Sequence, residues 1–167
     1  MTEKPDFPFE IEFYTEDDDQ PVLRWMKEEL STTKRRALGL AMRNYLQTLG
    51  TGVCSSQFGS SLGDGLYEFR LRYNLKDLAS RIGIPFKPTP GEDDEASILL
   101  RVFFHEYDGK VILLLGGYDK GEDPSPKTQN TQIKLARKRL KKWQAERNRQ
   151  AKQAAREMGS SGKKSRR

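Results

Sequence analysis

The side chains best suited to chemistry in this sequence are arginines on two predicted strands. Arg70 and Arg72 alternate with apolar residues between positions 66 and 73, and this alternation places both on one face with Glu68. Arg101 interrupts an otherwise apolar run, where an arginine is costly to bury without a partner. Because forked guanidinium donors suit phosphate oxygens, we expect a phosphate-binding surface if these arginines share a face. The alternative is structural: they line a solvated sheet face or pair with Glu68.

Three more side chains extend this hypothesis. His105 is the only histidine, shares the strand face of Arg101, and belongs to the residue type whose ordinary pKa lies near neutrality. If adjacent strands bring Arg70, Arg101 and His105 to a helix-free face, a concave basic patch results, with Lys120 at its rim. Tyr118 could act as a base or stack on a nucleobase. Each also has an ordinary reading as an inert strand histidine, a loop lysine or a sheet-end aromatic.

The net charge of +6 is unevenly distributed along the chain. Residues 134–167 carry 14 Lys and Arg but only two acidic residues, whereas the remaining residues have a net charge of −6. A basic block of this kind attracts polyphosphate by counterion release, although it could equally be a solvated helix that maintains solubility. The candidate nucleic-acid contacts are Arg72, Lys127, Lys134, Arg137, Lys138 and Lys141.

Other classes of chemistry have little support in the composition. A single histidine and a single cysteine, Cys54, cannot build a typical zinc site or an internal disulfide, so we expect no metal and no cofactor. The longest apolar stretch runs over 111–115, far short of the roughly 20 residues that a membrane helix needs. The first residues contain no apolar signal region. We therefore expect a cytoplasmic protein without a membrane partner.

The elements that must position these residues follow from the hydrophobic periodicity. The sequence predicts strands over 7–14, 66–73, 98–107 and 110–118, with a hairpin turn at Asp108-Gly109, and helices over 21–30, 32–49 and 127–157. Residues 50–65 are interpreted as a Gly- and Ser-rich loop, and residues 74–96 as a long excursion with one helical turn near 75–82. The predicted fold is α+β with the order β-α-α-β-β-β-α. The three later strands are expected to form a small antiparallel sheet, with the first strand on it and helices packed on one face. The last helix is expected to be long and basic, with a core-facing stripe formed by Ile133, Ala136, Leu140 and Trp143.

Three segments resemble the RelE/ParE toxin superfamily, and most closely its HigB-type, phage-derived branch. The first is a strand ending in Phe13-Tyr14, an acidic turn, and a helix that starts Pro-Val-Leu-Arg-Trp at Pro21. The second is Gly-Leu-Tyr-Glu-Phe-Arg over 65–70. The third is Arg-Val-Phe-Phe over 101–104, followed by the hairpin strand that leads to Lys120.

The resemblance covers roughly residues 7–145, and we expect a toxin-like domain over 1–145. Two features depart from the family: the insertion at 74–96, and a basic helical extension over 146–167 whose composition predicts a disordered tail from Gly159. It also implies a toxin that cleaves mRNA in the ribosomal A site by attack of a ribose 2′-OH on the adjacent phosphate. Arg70, Arg101 and Lys120 match the basic active-site positions of the family, and His105 and Tyr118 are the further catalytic candidates. Gly116 stands where many relatives have His.

Partners and alternative functions also follow from the resemblance. The expected partners are the ribosome, mRNA and a cognate antitoxin, commonly of helix-turn-helix type, that shields the face bearing Arg70 and Arg101. One alternative on the same fold is a ParE-like toxin that inhibits DNA gyrase. Another is a non-catalytic, phage-derived nucleic-acid-binding protein, because fold alone does not determine function.

Overall fold

A computed structural model describes residues 7–88, 90–91 and 93–164, and it shows an α+β domain built on a five-stranded mixed sheet. The strands are β1 (Glu10–Phe13), β2 (Gly59–Gly63), β3 (Leu66–Leu71), β4 (Leu100–Tyr107) and β5 (Val111–Asp119). The helices are α1 (Pro21–Glu28), α2 (Thr32–Ala41), α3 (Gln47–Leu49), α4 (Leu75–Ile82) and α5 (Pro126–Lys164), with a π-helical turn at Met42–Leu46 and a 3₁₀ segment at Gly50–Ser55.

The sheet order is β1-β5-β4-β3-β2. The antiparallel pairing predicted for the three later strands is confirmed, and β2 adds a further antiparallel neighbour. β1 pairs parallel with β5, so the sheet as a whole is mixed and not antiparallel throughout. β2 lies within the segment interpreted as a loop, because its Gly-Ser composition hides a strand that pairs at the sheet edge. The predicted Asp108-Gly109 turn is confirmed, and both residues have the positive φ angles that a tight hairpin requires.

Helices α1, α2 and α4 pack on one face of the sheet. α1 begins at Pro21, which suits the first turn of a helix. α2 is capped by Ser31, whose side chain accepts from the backbone N–H of Lys34. α1 lies so close to β5 that a Cβ at Gly117 would come within 2.6 Å of the Trp25 ring. The insertion contains α4, which is an eight-residue helix and therefore longer than the single turn that was predicted. The Asn74 side chain caps its start, and Gly83 ends it in the left-handed conformation.

The opposite face of the sheet is covered by α5, so the prediction that helices occupy one face is wrong. The sheet has an apolar core on each face. Val102 and Phe104 pack in the core on the side of α1 and α2, whereas Phe103, Leu113 and Leu115 pack in a second core beneath α5. Because β4 and β5 are apolar on both sides, the second face also needs an apolar cover. The predicted core stripe of α5 provides this cover, through Ile133, Ala136, Leu140 and Trp143.

Only the first half of α5 packs against the sheet. From Ala145 to Gly159 every residue is exposed. The helix continues to Lys164, past the point at 159 where a disordered tail was predicted, and residues 165–167 lie outside the described part of the chain. No helix in the described ranges is both long enough and apolar enough to cross a bilayer.

Candidate functional site

Three of the predicted site residues lie in one row across the sheet. Arg70 on β3 is directly opposite Arg101 on β4, and Arg101 is directly opposite Tyr118 on β5. Residues directly opposite each other in an antiparallel ladder project from the same face, about 5 Å apart. The face that they share is the one that α5 covers, since Arg101 lies two residues before Phe103 of the second core. The expected common face is therefore confirmed, but it is not helix-free.

Arg101 is the buried centre of this row. Its side chain is 3% exposed, and its Nε lies 3.2 Å from Oε1 of Glu68, which is 5% exposed. The other carboxylate oxygen of Glu68 accepts from Nε2 of Gln129 at 3.5 Å, so the first turns of α5 lie over the pair. Burial lowers the pKa of Arg101, and the Glu68 carboxylate opposes that shift. Arg101 is thus buried and paired with Glu68, as the structural alternative in the sequence analysis predicts.

Arg70 is more open. Its Nη2 donates to the carbonyl of Gly59 at 2.7 Å, and its Nε lies 4.0 Å from Oε1 of Glu68. The side chain keeps a quarter of its surface exposed, and its Nε has no hydrogen-bond partner in the described part of the chain. Arg72, two residues further along, is exposed just beyond the end of β3. Arg70 and Arg72 can therefore reach a ligand at this end of the sheet, which Arg101 cannot do.

Tyr118 is buried beside Arg101 and stacks on Phe103 with ring centroids 6.2 Å apart. Its hydroxyl has no hydrogen-bond partner among the described residues. Desolvation raises the pKa of Tyr118, and the nearby Arg101 lowers it only in part. The phenol is therefore neutral near pH 7 and poorly suited to accept a proton.

His105 does not join the cluster. It lies four residues from Arg101, or about 13 Å along the strand. Its Nδ1 is 2.6 Å from the carbonyl oxygen of Gly65, and its ring meets Trp143 edge-on with centroids 5.6 Å apart. The predicted patch of Arg70, Arg101 and His105 is therefore wrong in its third member, because Trp143 of α5 covers that end of the face.

Lys120 follows β5 in a tight turn and is half-buried. The turn is organised by Asp119, whose Oδ1 accepts from the backbone N–H of Gly121 at 3.0 Å and whose Oδ2 pairs with Lys34 at 2.5 Å. Lys120 itself has no ion pair in the described ranges. It lies at the same end of the sheet as Arg72, because β3 and β5 run in the same direction on either side of β4.

The basic residues of α5 separate into two groups. Arg137 was predicted to contact RNA, but its guanidinium donates to the carbonyls of Leu62 at 3.0 Å and Gly63 at 3.3 Å, so it holds the β2–β3 turn. Arg139, which the sequence analysis did not single out, donates to the carbonyl of Leu115 at 2.8 Å. By contrast, the other predicted α5 contacts are exposed and make no ion pair among the described side chains: Lys127, Lys134, Lys138 and Lys141.

Other kinds of site have little structural support in the described residues. No group of three or more His, Cys, Asp or Glu side chains there is arranged to hold a metal ion. Cys54 lies half-buried in the 3₁₀ segment, and burial raises the pKa of its thiol, which makes it less reactive. A cleft of about 300 Å³ lies between α1 and α5, with Trp25 and Gln132 among its lining residues, away from the arginine row.

Glu68 and Gln129 are the residues of this cluster whose roles are clear only in the folded chain. Glu68 was anticipated as a possible ion-pair partner, but its contact with α5 was not. The covering of the arginine row depends on where a helix some 60 residues later in the chain is packed. Comparison of the chain with family models, with curated proteins and with solved structures gives no match. The resemblance noted above therefore depends on the chain's own residues and their order.

Proposed function

We propose that this chain is the toxin of a type II toxin–antitoxin system, and that it acts as a ribosome-dependent mRNA endoribonuclease of RelE/HigB type. The observation that carries the proposal is the row in which Arg70 faces Arg101 across β3 and β4, on one side of the sheet. The element order supports it too, because removing the short β2, α3 and α4 leaves β-α-α-β-β-β-α.

The described residues supply the electrostatic part of the proposed reaction. Attack of a 2′-OH on the adjacent phosphate builds negative charge on the phosphorane, which positive donors stabilise. Arg70, Arg72 and Lys120 emerge at one end of the sheet and are the groups able to contact that phosphate. Arg101 is a positioning residue in this proposal, since it holds Glu68 behind Arg70.

Proton transfer is the less developed part of the site. His105 lies at the other end of the face, and the neutral Tyr118 is buried. The chain therefore presents no exposed general base beside Arg70 in the described ranges. In this proposal the arginines stabilise the charge, and the P–O5′ bond breaks as the 2′-oxygen bonds to phosphorus. Solvent water accepts the 2′-OH proton and protonates the leaving 5′-oxygen.

A second candidate is a non-catalytic nucleic-acid-binding protein with the same fold. It is favoured by a specific observation: Arg101 and Tyr118, two of the five catalytic candidates, are buried beneath the first turns of α5. In this alternative the exposed arginines and the basic helix bind RNA without cleaving it.

The proposed antitoxin fits only part of the face that we expected it to shield. Because α5 already covers Arg101, a partner can reach the sheet end that bears Arg70, Arg72 and Lys120. The proposed site of action, at the ribosome in the cytoplasm, follows from the mRNA substrate.

Primer extension on cellular mRNA after induction of the chain tests the proposal. We expect cuts within codons for the wild-type chain, and a loss of about 100-fold or more in cleavage for R70A/R72A, because charged transition-state donors are removed. The control is K27A/K110A, which removes two exposed cations elsewhere and should cleave normally.

The other outcomes identify the alternatives. Intact mRNA with an induced DNA-damage response would instead favour a gyrase-directed toxin. Intact mRNA with no effect on growth would favour the non-catalytic candidate. Wild-type cleavage by R70A/R72A would refute the assignment of the site.

A further inference from the structure

The cations of α5 differ in whether the folded chain already uses them. Five of them are engaged: Arg137 and Arg139 bind backbone carbonyls, and Lys142, Arg147 and Arg149 pair with carboxylates. Six other cations are exposed and have no ion pair among the described residues. They are Lys127, Lys134, Lys138, Lys141, Lys152 and Arg156, and we call them the outer stripe.

The outer stripe lies on one side of the helix. At 3.6 residues per turn its six members fall within an arc of about 60°, roughly opposite the side that packs through Ala136 and Leu140. The acidic residues Glu146 and Glu157 project about 80° or more outside this arc. From Lys127 to Arg156 the outer stripe is about 44 Å long, because an α-helix rises 1.5 Å per residue.

About a third of this length lies beyond Arg147, whose pair with Asp108 is the last ion pair that joins α5 to another part of the described chain. Every residue from Ala145 to Gly159 is exposed, and neither Lys152 nor Arg156 has an ion pair among the described residues. A projecting helix that is polar on all sides gains nothing from tertiary packing. Its straight row of unpaired cations complements an extended polyanion.

We propose that the outer stripe of α5 binds double-helical RNA along its phosphate backbone, as a docking surface separate from the Arg70 end of the sheet. Recognition of single strands relies on aromatic side chains that stack on bases, and the only aromatic residue of α5, Trp143, is packed against Tyr107 and His105. The major groove of A-form RNA is too deep and narrow for side chains to read, so a helix with cations on one side contacts its phosphates from outside. The choice of RNA over DNA rests on the proposed function.

The proposed surface explains how the chain could bind the ribosome without obstructing its own site. Duplex RNA on the outer stripe would contact the side of α5 that faces away from the sheet. The end of the sheet that bears Arg70 and Arg72 would remain open to a separate mRNA strand.

Binding of the full chain to a blunt RNA duplex of about two helical turns, measured by fluorescence anisotropy over a salt series, tests this inference. For K134A/K138A/K141A we expect binding about 10-fold weaker or more, and a salt slope about three units shallower, since each lost phosphate contact removes about one unit. For K152A/R156A, on the projecting part, we expect a slope about two units shallower.

Matched variants separate the outer stripe from net charge. K27A/K76A/K110A removes three exposed cations from other parts of the chain, of which Lys76 is paired with Glu95, and should leave the slope unchanged. K134R/K138R/K141R keeps the charge and should restore binding. Alanine favours helix, and circular dichroism should show unchanged helicity in every variant.

Three results would overturn the inference. They are an equal loss of binding in the K27A/K76A/K110A control, no effect of K152A/R156A, and tighter binding of the same sequence as DNA at the same salt concentration. The proposed function fails on a different readout. If K152A/R156A weakens duplex binding while no mRNA is cut in cells, the docking surface remains and the nuclease is refuted.

Discussion

The two ends of the sheet face beneath α5 are built differently. At one end, His105 contacts the Gly65 carbonyl, and Tyr107 binds Glu12, while Arg147 lies over the rings of both Tyr107 and Trp143. Every one of these polar groups has a partner. This end, which we call the satisfied end, is therefore a structural contact between α5 and the hairpin.

At the other end, which we call the unsatisfied end, several buried polar atoms lack a hydrogen-bond partner among the described residues. The Tyr118 hydroxyl and the Nε atoms of Arg70 and Arg101 are buried without a hydrogen-bond partner in the described chain. Arg101 Nε lies within ion-pair distance of Glu68, but the two are not aligned as a hydrogen bond. Buried polar groups are nearly always satisfied in native proteins, so each exception needs an explanation, and a catalytic role or a bound ion is one of them. The contrast favours the Arg70 end as the functional one.

The largest expected effect on stability comes from breaking the Glu68–Arg101 pair at the centre of the unsatisfied end. E68A leaves the Arg101 charge buried and unpaired, so we expect a loss of about 3–5 kcal/mol in the free energy of unfolding. Urea denaturation measures it. The double variant E68L/R101L removes both charges and should recover most of the stability. A loss below about 1 kcal/mol for E68A would show that water already reaches Arg101.

At the satisfied end, the comparable substitution is W143A, which removes the ring that packs on His105 and Tyr107. Because Trp143 is only half-buried, we expect a loss of about 2 kcal/mol, less than for a fully buried tryptophan. The same variant removes the ring that meets His105 edge-on, so the NMR chemical shifts of the His105 ring protons should change. Unchanged ring shifts would show that Gly65, and not Trp143, determines the environment of His105.

A smaller effect is expected for Y118F, which deletes the unpartnered hydroxyl. Removing a buried polar group that has no partner stabilises a protein by about 1 kcal/mol. Thermal unfolding would show a higher Tm, with Y107F as the matched control, because its hydroxyl binds Glu12. A lower Tm for Y118F would mean that its hydroxyl has a partner in solution.

The smallest effect concerns the acidic turn that α5 holds near Trp143. The Lys142 ammonium lowers the pKa of Glu16 below its ordinary value of 4.5. A lowered folded-state pKa gives stability that is present above the unfolded pKa and is lost as the pH falls through the folded one. We expect K142A to reduce the dependence of unfolding on pH below about pH 4.5, with K141A as the control. Identical acid unfolding profiles for K142A and the wild type would show that the Lys142–Glu16 pair does not stabilise the folded chain.

Several features could be predicted locally because local chemistry decides them. The Asp108-Gly109 turn needs positive φ angles, and alternation along β3 places Arg70 with Glu68 on one face. The stripe through Ala136 and Leu140 predicted the packed side of α5. β2 was missed because Gly and Ser form a strand there only when the edge of β3 is beside them.

The covering of the candidate site could not be predicted in the same way. Periodicity shows that a helix has an apolar side, but not which of two apolar sheet faces it will bury. The choice depends on where α1, α2 and α4 already pack and on the apolar residues left exposed on β4 and β5.

The sequence by itself determined which residues share a face, where the hairpin turns, and that the positive charge lies along the C-terminal helix. Only the tertiary structure decided that Arg101 is buried with Glu68, that His105 belongs to a different contact, and which cations of α5 remain unpaired. The physical reason is range: backbone propensity and alternation act over a few residues. Burial and pairing depend on neighbours that the chain brings together from far apart.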